Sequence, residues 1–290
     1  MPNPKAERLP EWLKVSLDGA KPRNEVRRLL RSLKLHTVCE GARCPNLCEC
    51  WQRKAATFLV LGDTCTRNCR FCAVNHGRPQ PVDPEEPARV AEAVRRLGLR
   101  FVVVTCVTRD DLPDGGAAHL AATIRAIREM DPTVGVEILP SDFGGDLTAV
   151  DTVLAARPDV FNHNLETVAR LTPQVRSRAT YERSLAVLAH ASQQGKPLGI
   201  QTKSGLMLGM GETADELRQA LADLRQAGVR ILTLGQYLPP SPEHWPLDRY
   251  LEPAEFAEWG RIAREEYGFA AVVSGPLVRS SYLAEQAARE

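Results

Sequence analysis

Three cysteines stand close together in "CTRNCRFC" (65–72), spaced C-x3-C-x2-C, with no fourth ligand in the stretch. A structural zinc site is closed by four ligands, so three thiolates leave a coordination position open. Two chemistries use such a set. A cubane iron–sulfur cluster bound by Cys65, Cys69 and Cys72 keeps one iron with exchangeable positions, where a cofactor or substrate binds directly. A zinc ion held by the same thiolates and the nearby His76 would instead stabilise a binding protein without catalysis. The spacing favours the cluster. A second set lies upstream in "CEGARCPNLCECW" (39–51), where Cys39, Cys44 and Cys50 form C-x4-C-x5-C.

Composition sets the conditions for that chemistry. The chain has 290 residues, 43% of them hydrophobic, enough to bury a sizeable core. Charged residues make up 25% and the formal net charge is +1, so no global polyanion-binding signature exists. No basic stripe or appended nucleic-acid module is evident, and no apolar run is long enough to span a bilayer. "MPNPKAERLPEWLK" lacks an apolar signal core and carries acidic residues, so the cytoplasm is the expected compartment. Eight cysteines in that reducing compartment imply metal or redox chemistry rather than disulfides.

The elements that must position these thiols alternate in type. Residues 1–55 are irregular, apart from the amphipathic "NEVRRLLRSL" (24–33). Strands are expected at 57–63, 100–107, 134–142, 159–166, 198–208 and 230–238, several with the continuous Val/Ile/Leu runs of strands covered on both faces. Between them lie helices at 3.6-residue spacing. Val90, Val94 and Leu97 line one face, and Leu217, Leu221 and Leu224 another, with Thr213 and Glu216 as a capping box and Gly228 as the stop. Six β-α units predict an α/β fold, a partial (β/α)6 TIM-like barrel, with N-terminal and C-terminal extensions. The expected division is 1–55, an N-terminal extension with the upstream cysteines; 56–250, the barrel; and 251–290, an extension that closes it, with a helix over 254–267. Loops after the strands carry the chemistry in such barrels, and "CTRNCRFC" follows the first strand.

C-x3-C-x2-C on that loop, with Phe71 before the last cysteine, resembles the radical S-adenosylmethionine superfamily. The upstream triad, "TCVTRDDLPDGG" (105–116), "NHNLET" (162–167), "TKSGLMLGMGE" (202–212), "GQYLPPS" (235–241) and "RSSY" (279–282), in that order, narrow the likeness to its lipoyl synthase family. Cys48 and Cys106 are extra thiols that depart from the pattern.

The resemblance implies two [4Fe-4S] clusters and S-adenosylmethionine. Cys65, Cys69 and Cys72 would hold the first cluster, whose open iron takes the cofactor. Cys39, Cys44 and Cys50 would hold an auxiliary cluster, completed by Ser281 or its neighbour Ser280, with Ser281 preferred. The implied reaction inserts two sulfurs, at C6 and C8 of an octanoyl chain on a carrier-protein lysine, and consumes the auxiliary cluster. Phe71, Asp114, Gly115, Gly116, Asn162, Asn164, Glu166, Arg178 and Lys203 are the expected cofactor contacts. For several of these a turn, a helix cap or a salt bridge is the competing role, and His163 is expected to be structural. Implied partners are octanoylated lipoyl carrier domains (2-oxoacid dehydrogenase E2, glycine cleavage H protein) and an electron donor such as ferredoxin or flavodoxin. Neither nucleic acid nor membrane is expected, and the chain is expected to be a monomer. "RNEVRRLLRS" (23–32) offers cations to an acidic carrier. A tRNA methylthiotransferase is the alternative enzyme.

Overall fold

The computed structural model describes residues 9–14, 20–53, 56–176 and 178–289. The first eight residues, within the stretch read above for a signal core, lie outside it. The strands are β1 (His36–Thr37), β2 (Thr57–Val60), β3 (Thr64–Cys65), β4 (Asn75–His76), β5 (Phe101–Cys106), β6 (Gly135–Leu139), β7 (Val160–Asn162), β8 (Gln201–Leu208), β9 (Ile231–Gln236) and β10 (Ala271–Gly275). The helices are α1 (Ala20–Ser32), α2 (Val38–Gly41), α3 (Leu47–Gln52), α4 (Glu86–Leu97), α5 (Ala117–Met130), α6 (Leu147–Ala155), α7 (Thr172–Val175), α8 (Tyr181–Gly195), α9 (Ala214–Gln226), α10 (Pro253–Glu265) and α11 (Ala284–Ala287).

One sheet runs β1-β2-β5-β6-β7-β8-β9-β10, and β3 pairs with β4 in a separate two-stranded piece. Every pairing from β2 to β10 in the large sheet is parallel; only β1 on β2 is antiparallel. The two ends, β1 and β10, do not meet, so the barrel is open, as the sequence pattern predicts. All six expected strands are present. β10 adds a seventh parallel strand from the C-terminal extension, in register with β9 from Ala271–Ile231 to Gly275–Gly235.

Burial explains the continuous apolar runs. Val102, Val103 and Val104 of β5 and every residue of β9 are buried, as parallel strands covered on both faces require. The return helices lay their apolar stripes on the sheet. α4 buries Val90, Val94 and Leu97 and stops at Gly98, whose φ of 64° glycine adopts without the Cβ penalty other residues carry. α9 buries Leu217, Leu221 and Leu224, and its Thr213–Glu216 capping box is formed in both directions.

Three expected strands end early, at Val60, Leu139 and Asn162, the first and last of them where the chain must turn to build the site. The first stops at Val60 because Leu61 (φ 68°) and Gly62 (φ 93°) reverse the backbone. Two buried polar groups hold that turn: Glu86 Oε2 accepts the Leu61 N–H at 2.8 Å, and Arg109 Nη1 donates to the Leu61 carbonyl at 3.3 Å. The fourth stops at Asn162, after which Glu166, at φ 71°, rejoins β8 through one bridge to Leu206. Gly235 in β9 permits a different contact: a Cβ there would stand 2.1 Å from the Val278 carbonyl oxygen. The segment carrying "RSSY" therefore lies directly on the β9 backbone.

Candidate metal centres and the cavity between them

The turn at 61–62 delivers β3 and the first cysteine triad to the C-terminal end of the sheet. Cys65 Sγ accepts two backbone N–H groups, from Arg67 at 3.4 Å and Thr108 at 3.3 Å. Hydrogen bonds of this kind favour an anionic sulfur and help set cluster potentials. Arg67, between Cys65 and Cys69, ties the loop to two other strand ends. Its guanidinium meets Asp110 through Nε and Nη2 and Asp142 through Nη2 at 2.7 Å. Burial works against the Arg67 charge, but the two carboxylates overcome it and hold the group firmly protonated. On the other side, Trp245 N–H donates to the Arg70 carbonyl at 2.7 Å, and the Arg70 guanidinium lies 4.8 Å from the Trp245 ring. His244 Nε2 lies 3.2 Å from the Cys72 carbonyl oxygen. The loop after β9 thus braces the triad.

The second triad is carried by α2 and α3. Thr37 caps α2, and Cys44 N–H donates to the Cys39 carbonyl at 3.0 Å, folding Cys44 back beside Cys39. Burial pushes the Cys39 thiol up to about 11, and Cys44 pushes it further. Burial likewise pushes Cys50 up to about 12, with Cys39 and Cys44 adding to it. Cys44 acts on Cys39, and both act on Cys50, so the three thiols share one small region. Burial and the neighbouring Cys69 and Cys65 together push Cys72 up to about 12. Burial makes Cys39, Cys44, Cys50 and Cys72 poor homes for bare thiolates; bound cations would reverse that preference. Cys48 sits two residues before Cys50 in α3, where side chains do not share a face.

The "RSSY" segment is fastened to this region. Asn46 Nδ2 donates to the Leu277 carbonyl at 2.6 Å, and Tyr282 Oη donates to Glu49 Oε1 at 3.2 Å. Arg279 is half-buried and, among the described residues, has no carboxylate partner; Nη1 donates to the Val278 carbonyl at 2.7 Å. Burial lowers its pKa, and Cys44 is the group that opposes the shift. A cation without an acid, beside three thiols, fits an anionic cluster. The Ser280 hydroxyl is held on both sides, donating to Asn164 Oδ1 at 2.8 Å and accepting from Asn162 Nδ2 at 2.8 Å. The Ser281 hydroxyl has no hydrogen-bond partner among the described residues and lines the cavity described next.

A cavity of about 550 Å³ joins the two regions. Cys39 and Cys44 line it, as do Cys65, Cys69 and Cys72; Cys50 does not, though Cys39 and Cys44 both act on its thiol. Its apolar wall includes Leu59, Leu139, Leu206, Met207 and Leu238. Asn164, Glu166 and Phe71 line it too. Burial raises the Glu166 carboxyl pKa, against which Arg176 and a hydrogen bond from Asn164 act. Among the described residues no three His, Cys, Asp or Glu side chains close around a single ion, and His76 is exposed outside the cavity. The zinc arrangement with His76 is therefore not formed. Thiolates bound to separate corner irons of a cube need not converge on one point, so the donor sets suit clusters.

Other expected cofactor contacts are occupied elsewhere. Asp114 caps α5, accepting from Gly116 N–H at 2.9 Å and Ala118 N–H at 2.8 Å. Gly116, at φ 92°, makes the turn before that helix and packs on Leu61, where a Cβ would approach to 2.3 Å. Gly115, at φ 60°, belongs to the same turn. Arg178 is exposed, 3.7 Å from Asp110 Oδ2. Lys203 is fully buried against Glu137, at 3.0 and 2.9 Å from its two oxygens. Asn162 donates to the same carboxylate at 2.7 Å. None of these six lines the cavity. Arg67, Glu137, Arg176 and Arg279 are functional candidates that the motif reading did not single out. Cys106 lines the cavity as a thiol pushed up to about 12 by burial.

His163, expected to be structural, lines the cavity and is hydrogen-bonded at both ring nitrogens. Pro140 O can only accept, so Nδ1 carries the proton at 3.1 Å, while Ser184 Oγ, itself accepting from Arg176 Nη1, donates to Nε2 at 3.0 Å. Burial lowers the ring to about 4. The unfolded chain takes up a proton near 6.5 that the folded chain refuses until about 4. Stability present above pH 6.5 should thus fall across that window by about 3 kcal/mol. Denaturant unfolding of the cluster-free protein, with His163→Gln showing a flatter profile, checks this.

Comparison with known proteins agrees with the geometry. A family profile described as the radical SAM superfamily matches residues 59–224, and one described as the N-terminal domain of lipoyl synthase matches residues 1–44. A protein of Thermus thermophilus named lipoyl synthase is 56% identical over 290 residues, covering 98% of this chain and 88% of the relative. Lipoyl synthases of Rubrobacter xylanophilus and Methylococcus capsulatus are 54% and 56% identical over 96% and 97% of this chain, and 85% and 87% of their own. Among solved structures, methylornithine synthase (PylB) superposes with a TM-score of 0.56 at 14% identity, covering 86% of this chain and 81% of that one. The hydrogenase maturase HydG gives 0.57 at 14%, covering 90% and 57%. At those identities the likeness concerns the fold alone.

Proposed function

The chain belongs to the lipoyl synthase family of the radical S-adenosylmethionine superfamily, and from that premise we propose how its residues divide the work. The family's cofactors are [4Fe-4S] clusters and S-adenosylmethionine. Cys65, Cys69 and Cys72 hold the first cluster. Cys39, Cys44, Cys50 and Ser281 hold the auxiliary one. When bound, the first cluster supplies the electron that cleaves S-adenosylmethionine, and the auxiliary cluster supplies sulfur. The reaction is a sulfur transfer to C6 and C8 of an octanoyl chain on a lysine of a lipoyl carrier domain.

The chain's own residues bind, orient and exclude water. Backbone N–H groups of Arg67 and Thr108 steady the Cys65 sulfur. Asn164, Glu166 and Phe71 stand where they can meet the nucleoside in the cavity. The apolar wall offers a dry track to an alkyl chain that has no acid or base handle, so selectivity rests on position. Arg279 balances negative charge at the auxiliary centre. The single observation that carries this reading is that five cysteines, two of the upstream triad and all three of the other, line one cavity beside Ser281, whose hydroxyl has no partner among the described residues.

Octanoylated E2 and glycine cleavage H domains are the carriers we assign, with ferredoxin or flavodoxin as reductant. No helix among the described residues is long and apolar enough to cross a membrane, and we assign the enzyme to the cytoplasm as a monomer. Arg28 and Arg31 of α1 are exposed and available to an acidic carrier, whereas Arg27 is drawn into Glu40 and Trp51. Anaerobic reconstitution followed by reaction with an octanoylated lysyl peptide and a reductant tests the assignment. About 8 irons per chain are expected, as two cubanes require, together with dithiolated product. Zinc in place of iron, or iron without product, would overturn it.

A further inference from the structure

We propose that Ser280 is a positioning residue: its hydroxyl, clamped between Asn162 and Asn164, sets the turn that presents Ser281 to the Cys39–Cys44–Cys50 triad. The inference rests on the reading that Ser281 completes that ligand set.

The clamp begins on three neighbouring strands. Glu137 lies in β6, Asn162 in β7 and Lys203 in β8, with Asn162 and Lys203 directly paired in the parallel register. All three side chains are fully buried. Lys203 Nζ reaches both Glu137 oxygens, and Asn162 Nδ2 donates to Glu137 Oε1 at 2.7 Å. The carboxylate accepts only, so it dictates which end of the Asn162 amide faces it. The second Nδ2 hydrogen then points to Ser280 Oγ, at 2.8 Å. Ser280 passes its own proton to Asn164 Oδ1.

This arrangement is not the one that stability alone favours. A buried ion pair repays its desolvation only in part. Asn162 Oδ1 is left buried without a partner, a cost of its own. Both are tolerated so that one amide nitrogen serves Glu137 and Ser280 together. What the clamp fixes is a short turn closed by the Tyr282 N–H donating to the Arg279 carbonyl at 2.9 Å. Arg279 faces Cys44 and Tyr282 bonds Glu49, between Cys48 and Cys50, so both flanks of Ser281 address the auxiliary triad. With Ser280 held by Asn162 and Asn164 on one side of the turn, Ser281 is the hydroxyl that points to no partner among the described residues and is left to serve a metal.

The test uses the full chain with Cys65, Cys69 and Cys72 changed to alanine, so that iron reports only the auxiliary centre. After anaerobic reconstitution, an iron chelator is added and the remaining iron is followed by Mössbauer spectroscopy. In Ser280→Ala one iron of four should be lost about tenfold faster than in the parent, the scale of one buried hydrogen-bond pair. Asn162→Leu should do the same from the other side of the contact, and Ser280→Thr, which keeps the hydroxyl, should restore the parental rate. Retention at the parental rate in Ser280→Ala overturns the proposal. So does loss of all four irons in step with a fall in the unfolding midpoint, which marks a merely structural role. A parent that binds no iron at all overturns the auxiliary-centre reading itself, and is recognised before any variant is compared.

Discussion

Replacing Cys69 with alanine should lower iron from about 8 to about 4 per chain and abolish cleavage of S-adenosylmethionine. Replacing Cys44 should lower iron by the same amount, leave that cleavage running, and stop sulfur from reaching the octanoyl chain. The two triads are separate in sequence and in support. Cys69 stands on the loop braced by Arg67 and by the Trp245–Arg70 contact. Cys44 stands on the α2–α3 connection, held through Asn46 to the "RSSY" segment. Removing a ligand from one leaves the scaffold of the other in place, so the losses should divide by function. Anaerobic iron analysis, with 5′-deoxyadenosine and dithiolated peptide measured in the same samples, checks both arms.

Arg67→Leu should be the most destabilising single substitution near the site, by about 3–5 kcal/mol, the usual cost of leaving a buried charge without its partner. The Asp142 side chain is fully buried, and Arg67 holds its pKa low against the burial that would raise it. Arg183, 3.4 Å from the other Asp142 oxygen, remains and softens the loss. Asp110 would also lose its two-point partner. Arg67→Lys restores a charge but not the fork that reaches two carboxylates, so recovery should be partial. Guanidinium unfolding of the cluster-free protein gives the difference directly. The same variant should load its first cluster poorly, because the loop between Cys65 and Cys69 loses its tie to β5 and β6.

The contacts that matter most here differ in how visible they were in the residues alone. Both triads could be found because thiol spacing is local. The strands of the barrel were equally plain, because two-sided burial writes continuous Val/Ile/Leu runs such as "FVVV" into the chain. The roles of Asn162 and Lys203 were not plain. Their partner, Glu137, lies on another strand, and only the sheet register brings the three together. A lysine inside a strand reads equally as a cofactor contact or an acid's partner until its pairing is known. Asp114, Gly115 and Gly116 carry both a motif and a turn, and the φ values of the glycines with the cap on α5 show the turn at work. The preference for Ser281 over Ser280 comes from the resemblance alone, since two adjacent hydroxyls are chemically alike; in the structure they differ in that Ser280 bonds Asn162 and Asn164. The early ends of β2 and β7 were hidden for a similar reason. Leu61 and Glu166 adopt positive φ, which residue type alone does not announce.

The central claim is that one cavity is shared by a centre that starts the reaction and a centre that is used up in it. Reconstituting the chain with isotopically labelled sulfide and reacting it once, in unlabelled solution, with an octanoylated carrier tests that claim most directly. The account predicts that both sulfurs of the product carry the label and that product stops at one equivalent per chain. Unlabelled product, or many equivalents formed without new sulfide, would contradict it.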